Sequence, residues 1–232
     1  MTPAARARQE AGTTMDSLTR HTDYGSTSLT EADVDPDPLV EFAAWLARAE
    51  EAGVYEPNAM VVGTVDGDGR PSSRTVLLKG LDAEGFEFVT NYHSRKGRAL
   101  AANPAVSLLF PWYSLNRQVA VLGTAAPTSN EVSDAYFARR PRRARIAALA
   151  SEQSRPVASR DELERRVLEL EGRYPEGTEI PRPAHWGGVR VVPREIEFWQ
   201  GRTSRLHDRI RFTAAIDPTT SVAGWTLERL QP

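Results

Sequence analysis

Five short segments with the composition of β-strands follow one another between residues 59 and 125, and they limit the possible folds more than any other feature. The segments are AMVVGTV (59–65), SSRTVLLK (72–79), GFEFVTN (85–91), AVSLLFPW (105–112) and RQVAVLGTA (117–125). The DGDG sequence between the first two is typical of a hairpin turn. Further β-type segments resume near the C-terminus as VRVVP, EIEFWQ, RLHDRIRF and GWTLERL. This pattern predicts a sheet of short antiparallel strands.

Helical segments interrupt the strands. The first is predicted in DPLVEFAAWLARAEEAG, where Asp37 is a favourable N-cap, Pro38 suits the first helical position and Gly53 suits the exit. Its predicted buried stripe consists of Leu39, Phe42, Leu46 and Ala49. Four more helices are predicted in SRKGRALAANP, SNEVSDAYFARRP, RRARIAAL and SRDELERRVLELEGRY, the last with Ser159 and Glu162 as a capping box.

Strands interrupted by helices predict one α+β domain built on an antiparallel Greek-key barrel with surrounding helices. No GxGxxG or GxxxxGK motif opens a helix after a strand, so a parallel nucleotide-binding sheet is disfavoured. We expect the domain to span residues 37–232. Residues 1–36 are polar with little apolar periodicity, which predicts a mobile N-terminal tail.

Composition excludes several classes of function. The chain has 232 residues and no cysteine, so disulfides, thiolate metal sites and cysteine nucleophiles are excluded. Its four histidines lack metal-ligand spacing, and we expect no metal site. The apolar runs are too short to cross a membrane and no signal peptide is evident, so a cytoplasmic protein is expected. A net charge of −2 gives no general affinity for nucleic acid.

The stretch FWQGRTSRLHDRIRF (198–212) nevertheless concentrates positive charge. In a regular strand, Arg205, His207, Arg209 and Arg211 would share one face, while Leu206, Ile210 and Phe212 would share the other. Two interpretations follow from this alternation. The segment is either a half-buried strand with a solvated basic face or a strand that lines an anion site.

Positive charge recurs elsewhere. Arg95 and Lys96 follow Ser94 at a predicted helix start, which favours a phosphate but also fits an ordinary capped surface helix. Arg74 and Lys79 would point to opposite faces of a regular strand. They therefore bind two different anions, unless a β-bulge turns one of them to the other face. The RRPRRAR junction (139–145) is a solvated basic region or an RNA-binding patch, and its few aromatic residues weaken the second interpretation.

Trp199 and Gln200 are either a core residue and an edge residue of a strand or part of a binding site for a planar ligand that carries a phosphate. In such a site Trp packs against the ring, amides bond its polar atoms, and Arg or Lys neutralises the phosphate. Flavin mononucleotide (FMN) fits that description.

Taken together, the motifs resemble one known family. RTVLLKG, TNYHSRKG, NPAVSLLFPWYSLNRQVAVLG, YFARRPR, SEQSRP, HWGGVRV, IEFWQG and RLHDR occur in the same order as in the pyridoxine/pyridoxamine 5′-phosphate oxidases. The resemblance covers roughly residues 57–232. It implies an FMN-binding split β-barrel, assembled as a homodimer with two FMN sites at the subunit interface.

The resemblance also implies the roles of individual residues. The FMN contacts would be Arg74, Thr75, Val76, Leu77, Leu78, Lys79, Val89, Thr90, Arg95, Lys96 and Gln118, with Gln153, Ser154, Trp199 and Arg209 from the other subunit. The substrate phosphate would bind Lys79, Tyr136 and Arg140. Arg205 and His207 would meet the substrate ring and act as the catalytic residues.

The implied reaction is oxidation of pyridoxamine 5′-phosphate and pyridoxine 5′-phosphate to pyridoxal 5′-phosphate, with dioxygen as acceptor and hydrogen peroxide as product. A phenazine-type oxidase acting on another ring, and a non-catalytic flavin- or pyridoxal-phosphate-binding protein, are the alternatives. Three departures from the family pattern stand out. Ala144 replaces a serine at the substrate phosphate, Val89 replaces a common aromatic residue, and His21 and Thr22 replace a basic pair in the N-terminal segment that acts as a lid in the family.

Overall fold

The computed structural model describes residues 16–216 and 223–232. These residues form nine strands, six α-helices and two short 3-10 turns at Tyr113–Leu115 and Thr203–Arg205. The helices are α1 (Asp16–Thr19), α2 (Pro38–Glu51), α3 (Arg95–Ala102), α4 (Asn130–Arg139), α5 (Arg142–Ala150) and α6 (Arg160–Arg173). The strands are β1 (Ala59–Val65), β2 (Pro71–Leu77), β3 (Gly80–Asp82), β4 (Gly85–Asn91), β5 (Ala105–Trp112), β6 (Arg117–Pro127), β7 (Trp186–Gln200), β8 (Asp208–Ile216) and β9 (Ala223–Leu230).

All strand pairs are antiparallel, in the order β2-β1-β5-β6-β7-β4-β3. Strand β7 pairs with β6 along one edge, from Val189 to Gln200. Along its other edge, Trp186–Val191 pairs with β4 and Glu195–Gln200 pairs with β8. Because β7 changes partner partway along its length, the sheet branches at this strand. The α+β class and the antiparallel barrel predicted from the sequence are confirmed.

The main core lies between the sheet and α2. Asp37 caps α2 by accepting a hydrogen bond from the Leu39 amide at 2.8 Å. Phe42 packs edge-on against Phe86 and Phe110 with ring centroids 4.9 and 4.7 Å apart. The predicted buried stripe is confirmed for Leu39, Phe42 and Ala49, whereas Leu46 is only partly buried and Trp45 is almost fully enclosed.

Two expectations about the strands are wrong. VRVVP and EIEFWQ form one strand, β7, because backbone pairing to β6 continues across Pro193 by means of a register shift between Leu122 and Gly123. The strand predicted from Arg205 begins only at Asp208. Ser204 and Arg205 have φ angles of 58° and 62°, which no extended strand allows. Residues 201–207, named the site loop from here on, therefore leave the sheet before β8 begins.

The N-terminal segment contacts the end of the sheet. Residues 24–31, named the N-terminal strap, lie against the site loop and strands β8 and β9. Leu29 in the strap is buried, and its amide donates to the Asp208 carboxylate at 3.0 Å. Residues 1–15 of the predicted mobile tail lie outside the described residues.

No helix within residues 16–216 and 223–232 is both long enough and apolar enough to cross a membrane.

Helix α3 packs against the backbone before it, and Gly97 permits this contact. A Cβ at position 97 would lie 2.2 Å from the Tyr92 carbonyl oxygen. Tyr92 has little room to move, because its own amide donates to the His185 carbonyl at 2.6 Å. The beginning of α3 therefore tolerates no side chain at this position.

We predict that Gly97→Ala lowers the free energy of unfolding by about 1–3 kcal/mol, the usual cost of overpacking. Gly172→Ala is the matched control: this residue lies in α6 with open space where a Cβ would stand, so the change should stabilise the protein by up to about 1 kcal/mol. Urea unfolding of both variants measures the difference. A Gly97→Ala protein as stable as the parent would contradict this packing argument.

Candidate active site

A first group of cationic and polar side chains surrounds the N-terminus of α3. This α3 cluster contains Arg74 from β2, Thr90 from β4, Arg95 and Lys96 from α3, and Gln153 from the segment after α5. Ser94 caps the helix, its hydroxyl accepting from the Gly97 amide at 3.2 Å. The Lys96 ammonium donates to Thr90 Oγ1 at 3.0 Å and to Gln153 Oε1 at 2.8 Å, so Gln153, expected from the other subunit, contacts Lys96 of its own chain. The helix amides and three cations are suited to one anion.

The charges in the α3 cluster repel one another. Burial, with a contribution from Arg74, lowers the pKa of Lys96 to about 8. Burial and the nearby Arg95 lower the pKa of Arg74 as well. Arg74 donates only to neutral acceptors, namely the Val62 carbonyl at 3.0 Å and two hydroxyls on β1 and β2. Among the described residues, no carboxylate forms a salt bridge with Arg74, Arg95 or Lys96.

A second group lies where α4 meets α5. In this α4–α5 cluster, the Arg140 guanidinium lies 4.5 Å above the Trp186 ring, and Tyr136 stacks on the same ring at 6.2 Å. Burial lowers the pKa of Arg140. Its Nη1 and the Nε atoms of Arg142 and Arg145 are buried and have no hydrogen-bond partner among the residues that the structure describes. Unsatisfied buried donors are costly, so this cluster is suited to an anionic acceptor.

A third group, the loop cluster, joins the N-terminal strap to the site loop. The His207 ring lies 4.6 Å from Trp199 and 5.3 Å from Tyr24, and the Arg205 guanidinium lies 5.6 Å from Tyr24. Burial and Arg205 lower the pKa of His207, which favours the neutral imidazole. Its Nδ1 accepts a hydrogen bond from the Arg202 amide at 3.0 Å. Neutral His207 therefore carries its proton on Nε2 and is a donor at that atom.

The other predicted site residues lie on strands β2, β4, β6 and β8 or, in the case of Leu78, Lys79 and Ser154, between elements. Gln118 on β6 is paired directly with Trp199 on β7. Arg209 forms a bidentate ion pair with Glu197 at 2.8 and 2.9 Å, which raises the pKa of the arginine. Thr75, Val76 and Leu77 lie on β2 and are exposed or partly buried, Leu78 is buried, Val89 is half-buried on β4, and Lys79 and Ser154 are exposed.

Strand β7 separates the clusters. Trp186 of the α4–α5 cluster begins β7, and Trp199 of the loop cluster lies 13 residues further along it, a span of about 40 Å in an extended strand. The α3 cluster lies near the first end, because Thr90 pairs with Gly187. The structure therefore brings the α3 and α4–α5 clusters to the beginning of β7 and places Arg205 and His207 at its far end.

Sequence reasoning missed several residues that shape these clusters. Trp186, Glu197 and Asp208 lie within the motifs HWGGVRV, IEFWQG and RLHDR, but the sequence assigned them no role. The Arg202 contribution comes from its backbone, which no motif indicates. Tyr24 follows Asp23 in the N-terminal segment that the family resemblance implies is a lid, and that dipeptide was the one available signal.

The fold is shared with solved proteins. A structure of PhzG from Burkholderia lata 383 in complex with tetrahydrophenazine-1-carboxylic acid superimposes with a TM-score of 0.80, at 32% identity over 90% of this chain and 100% of that one. A pyridoxamine 5′-phosphate oxidase-related, FMN binding protein from Nostoc punctiforme has a TM-score of 0.65 at 16% identity, covering 89% of this chain and 100% of that one, and so shares the fold alone.

Sequence comparison identifies the family. Residues 46–174 match the family model described as pyridoxamine 5′-phosphate oxidase, and residues 186–232 match the pyridoxine 5′-phosphate oxidase C-terminal dimerisation region. A pyridoxine/pyridoxamine 5′-phosphate oxidase of Rubrobacter xylanophilus is 56% identical over 210 residues, 90% of this chain and 94% of the relative. One from Burkholderia mallei is 53% identical over 211 residues, 91% and 96% of the two chains. The chain therefore belongs to the pyridoxine/pyridoxamine 5′-phosphate oxidase family of oxidoreductases.

Proposed function

We propose that this protein is an FMN-dependent oxidase that converts pyridoxamine 5′-phosphate and pyridoxine 5′-phosphate to pyridoxal 5′-phosphate. Dioxygen is the electron acceptor and hydrogen peroxide the product, and the amine substrate also releases ammonia. The observation that carries the proposal is the presence of two groups of cations that have no carboxylate partner within residues 16–216 and 223–232, one group for each phosphorylated ligand.

The contrast with other arginines supports this assignment. Arg190, Arg209, Arg211 and Arg229 all form ion pairs with Asp or Glu at 2.5–2.9 Å. In the α3 and α4–α5 clusters, by comparison, Lys96 and Arg140 have lowered pKa values and no acidic partner in the described part of the chain. A bound phosphate would relieve both the repulsion and the burial cost of these charges.

The residues of the α3 cluster fit the phosphate of FMN. Arg95, Lys96 and the free amides at the beginning of α3 would hold the phosphate, with Arg74 supplying further positive charge. Gln118 would lie close to the cofactor. Trp199 and Arg209, the latter oriented by Glu197, would contact the same cofactor from the other chain of a dimer. Bound FMN would supply the redox chemistry, accepting two electrons from the substrate and passing them to dioxygen.

The other two clusters fit the substrate. Tyr136 and Arg140, with Lys79, would bind the substrate phosphate, and Arg205 and His207 would bind its ring. Because His207 Nδ1 is occupied by the Arg202 amide, its Nε2–H would donate a hydrogen bond to an acceptor on the ring. In this arrangement His207 orients the substrate and does not act as a general base.

The length of β7 supports a homodimer with shared sites. Arg140 and His207 are at opposite ends of β7, a separation much longer than one pyridine ring with its phosphate. One substrate molecule can contact both residues only if they come from different chains. The match of residues 186–232 to a dimerisation region agrees with this arrangement.

A phenazine-type oxidase is the second candidate, because PhzG shares the fold at 32% identity. The α4–α5 cluster favours the phosphorylated substrate. The Nη1 atom of the partly buried Arg140 has no hydrogen-bond partner among the described residues, and a phosphate group offers this cluster more negative charge than the single carboxylate of a phenazine carboxylic acid.

We expect anaerobic addition of pyridoxamine 5′-phosphate to bleach the yellow flavin of the purified protein, and air to restore the colour. The measurement is flavin absorbance in a sealed cuvette, with unphosphorylated pyridoxamine as the matched control. Bleaching by a reduced phenazine precursor alone would establish the second candidate instead. A purified protein that takes up no FMN would refute both.

The lowered pKa of Lys96 predicts that FMN binding depends on pH. A phosphate dianion favours the charged ammonium, so FMN affinity should fall as pH rises through the Lys96 pKa of about 8. Between pH 7 and pH 9 the fall should be about tenfold, from the loss of one proton. Fluorescence titration of FMN at both pH values measures it. Lys96→Arg keeps its charge and should flatten the dependence; an equally steep fall in this variant would assign the titration to another group.

Shared sites can be tested by subunit complementation. Arg140→Ala should lose substrate phosphate binding and His207→Ala should lose ring binding, so each homodimer should have little activity while retaining FMN. A heterodimer of the two variants should regain about half of the wild-type activity, because one of its two sites is intact. Differently tagged chains, co-expressed and purified through both tags, provide the sample. No recovery would mean that both residues act within one chain.

A further inference from the structure

Asp208, the first residue of β8, connects three segments that are distant in sequence. Its Oδ2 accepts from the Leu29 amide in the N-terminal strap at 3.0 Å and from Arg202 Nη1 in the site loop at 3.2 Å. Its Oδ1 accepts from Arg229 Nη1 on β9 at 2.8 Å. The side chain is only 12% exposed. One buried carboxylate is therefore shared by the strap, the loop and the last strand.

The strap and the site loop also contact each other directly. The Thr203 amide donates to the Gly25 carbonyl at 2.9 Å. Tyr24 packs so closely on Gly201 that a Cβ there would lie 2.9 Å from the tyrosine ring. Arg229 continues the network, since it pairs with Glu31 at 2.9 Å and donates to the Leu29 carbonyl at 3.0 Å. The two segments consequently share one set of contacts around Asp208.

The site loop needs such support because its backbone is unfavourable. Ser204 and Arg205 both have positive φ angles, a conformation that non-glycine residues adopt only where the surroundings hold it. Arg205 is exposed, and His207 is held by the Arg202 amide and by its ring contacts with Trp199 and Tyr24. The position of Arg202 therefore contributes to the position of His207.

We propose that Asp208 is a positioning residue that holds the N-terminal strap and the site loop as one ordered unit, and so keeps Arg205 and His207 in the arrangement that binds substrate. Asp208 itself does not touch the substrate. The effect on substrate binding rests on the proposed function, whereas the coupling of strap and loop does not.

The charge of Asp208 is essential to this role. Burial opposes its ionisation, but hydrogen bonds from the Leu29 amide, Arg202 and Arg229 outweigh that effect and lower its pKa. Asparagine has nearly the same shape but no charge and a single acceptor oxygen. It cannot satisfy the two arginines and the Leu29 amide together. Asp208→Asn should therefore release the strap and the loop without creating a cavity.

Hydrogen–deuterium exchange of the FMN-loaded protein without substrate tests the coupling. In Asp208→Asn, amides in residues 24–31 and 201–207 should exchange about tenfold faster, and both segments should change together. Glu228→Gln is the matched control, since it removes a carboxylate paired with Arg211 at 2.8 Å on β9, away from the strap and the loop. Arg202→Gln removes the contact between the Asp208 carboxylate and the site loop. Because the Arg202 side chain is more exposed than that of Asp208, this variant replaces Asp208→Asn in the experiment if Asp208→Asn does not fold.

Steady-state kinetics test the consequence for substrate binding. If substrate binds only the ordered loop, Asp208→Asn and Arg202→Gln should raise KM for pyridoxamine 5′-phosphate about tenfold and leave kcat nearly unchanged. Saturating substrate should also restore slow exchange in the loop. Faster exchange in only one segment, or a fall in kcat at unchanged KM, would overturn the proposal. If the wild-type protein does not turn over pyridoxamine 5′-phosphate, the proposed function fails while the exchange result still decides the coupling.

Discussion

The backbone pairing of β7 is the constraint on which the rest of the structure depends. This strand bonds β6 along one edge and divides its other edge between β4 and β8. The division opens the barrel and fixes which residues lie at each end. The α3 and α4–α5 clusters are placed by the pairing with β4, and the loop cluster is placed by the pairing with β8. The proposal that two chains share each site rests on the length of this one strand.

Electrostatics then distinguishes the residues of the site from their neighbours. Most arginines of β7, β8 and β9 are neutralised by carboxylates on adjacent strands, as in the pairs Arg209–Glu197 and Arg211–Glu228. Lys96 and Arg140 are partly buried and have no such partners among residues 16–216 and 223–232, and burial lowers the pKa of each. This arrangement costs stability, and the binding of the proposed phosphate groups would offset that cost.

The site loop illustrates a different requirement. Two of its non-glycine residues, Ser204 and Arg205, have positive φ angles and lie shortly before His207, whose neutral tautomer is fixed by a backbone amide. Such a loop has little intrinsic preference for its observed form. Contacts from the strap and from Asp208 stabilise the observed form of the loop. They couple the N-terminal segment to residues that lie more than 170 positions further along the chain.

The sequence by itself determined the secondary structure of most of the chain, the fold class and the family. Alternating apolar residues predicted the exact bounds of β4 and β5, and Asp37, Ser94 and Ser159 predicted where three helices begin. These predictions succeed because capping and alternation depend only on a few neighbouring residues.

The family motifs named the candidate residues, yet they could not show which cations are paired with carboxylates. Alternation also failed for Arg205 and His207, since contacts with the distant strap and with Asp208 hold them outside the strand. Only the tertiary structure decided the split edge of β7, the pairing of Arg209 with Glu197 and the three segments joined at Asp208, because each depends on groups that are remote in sequence and meet only when the sheet has formed.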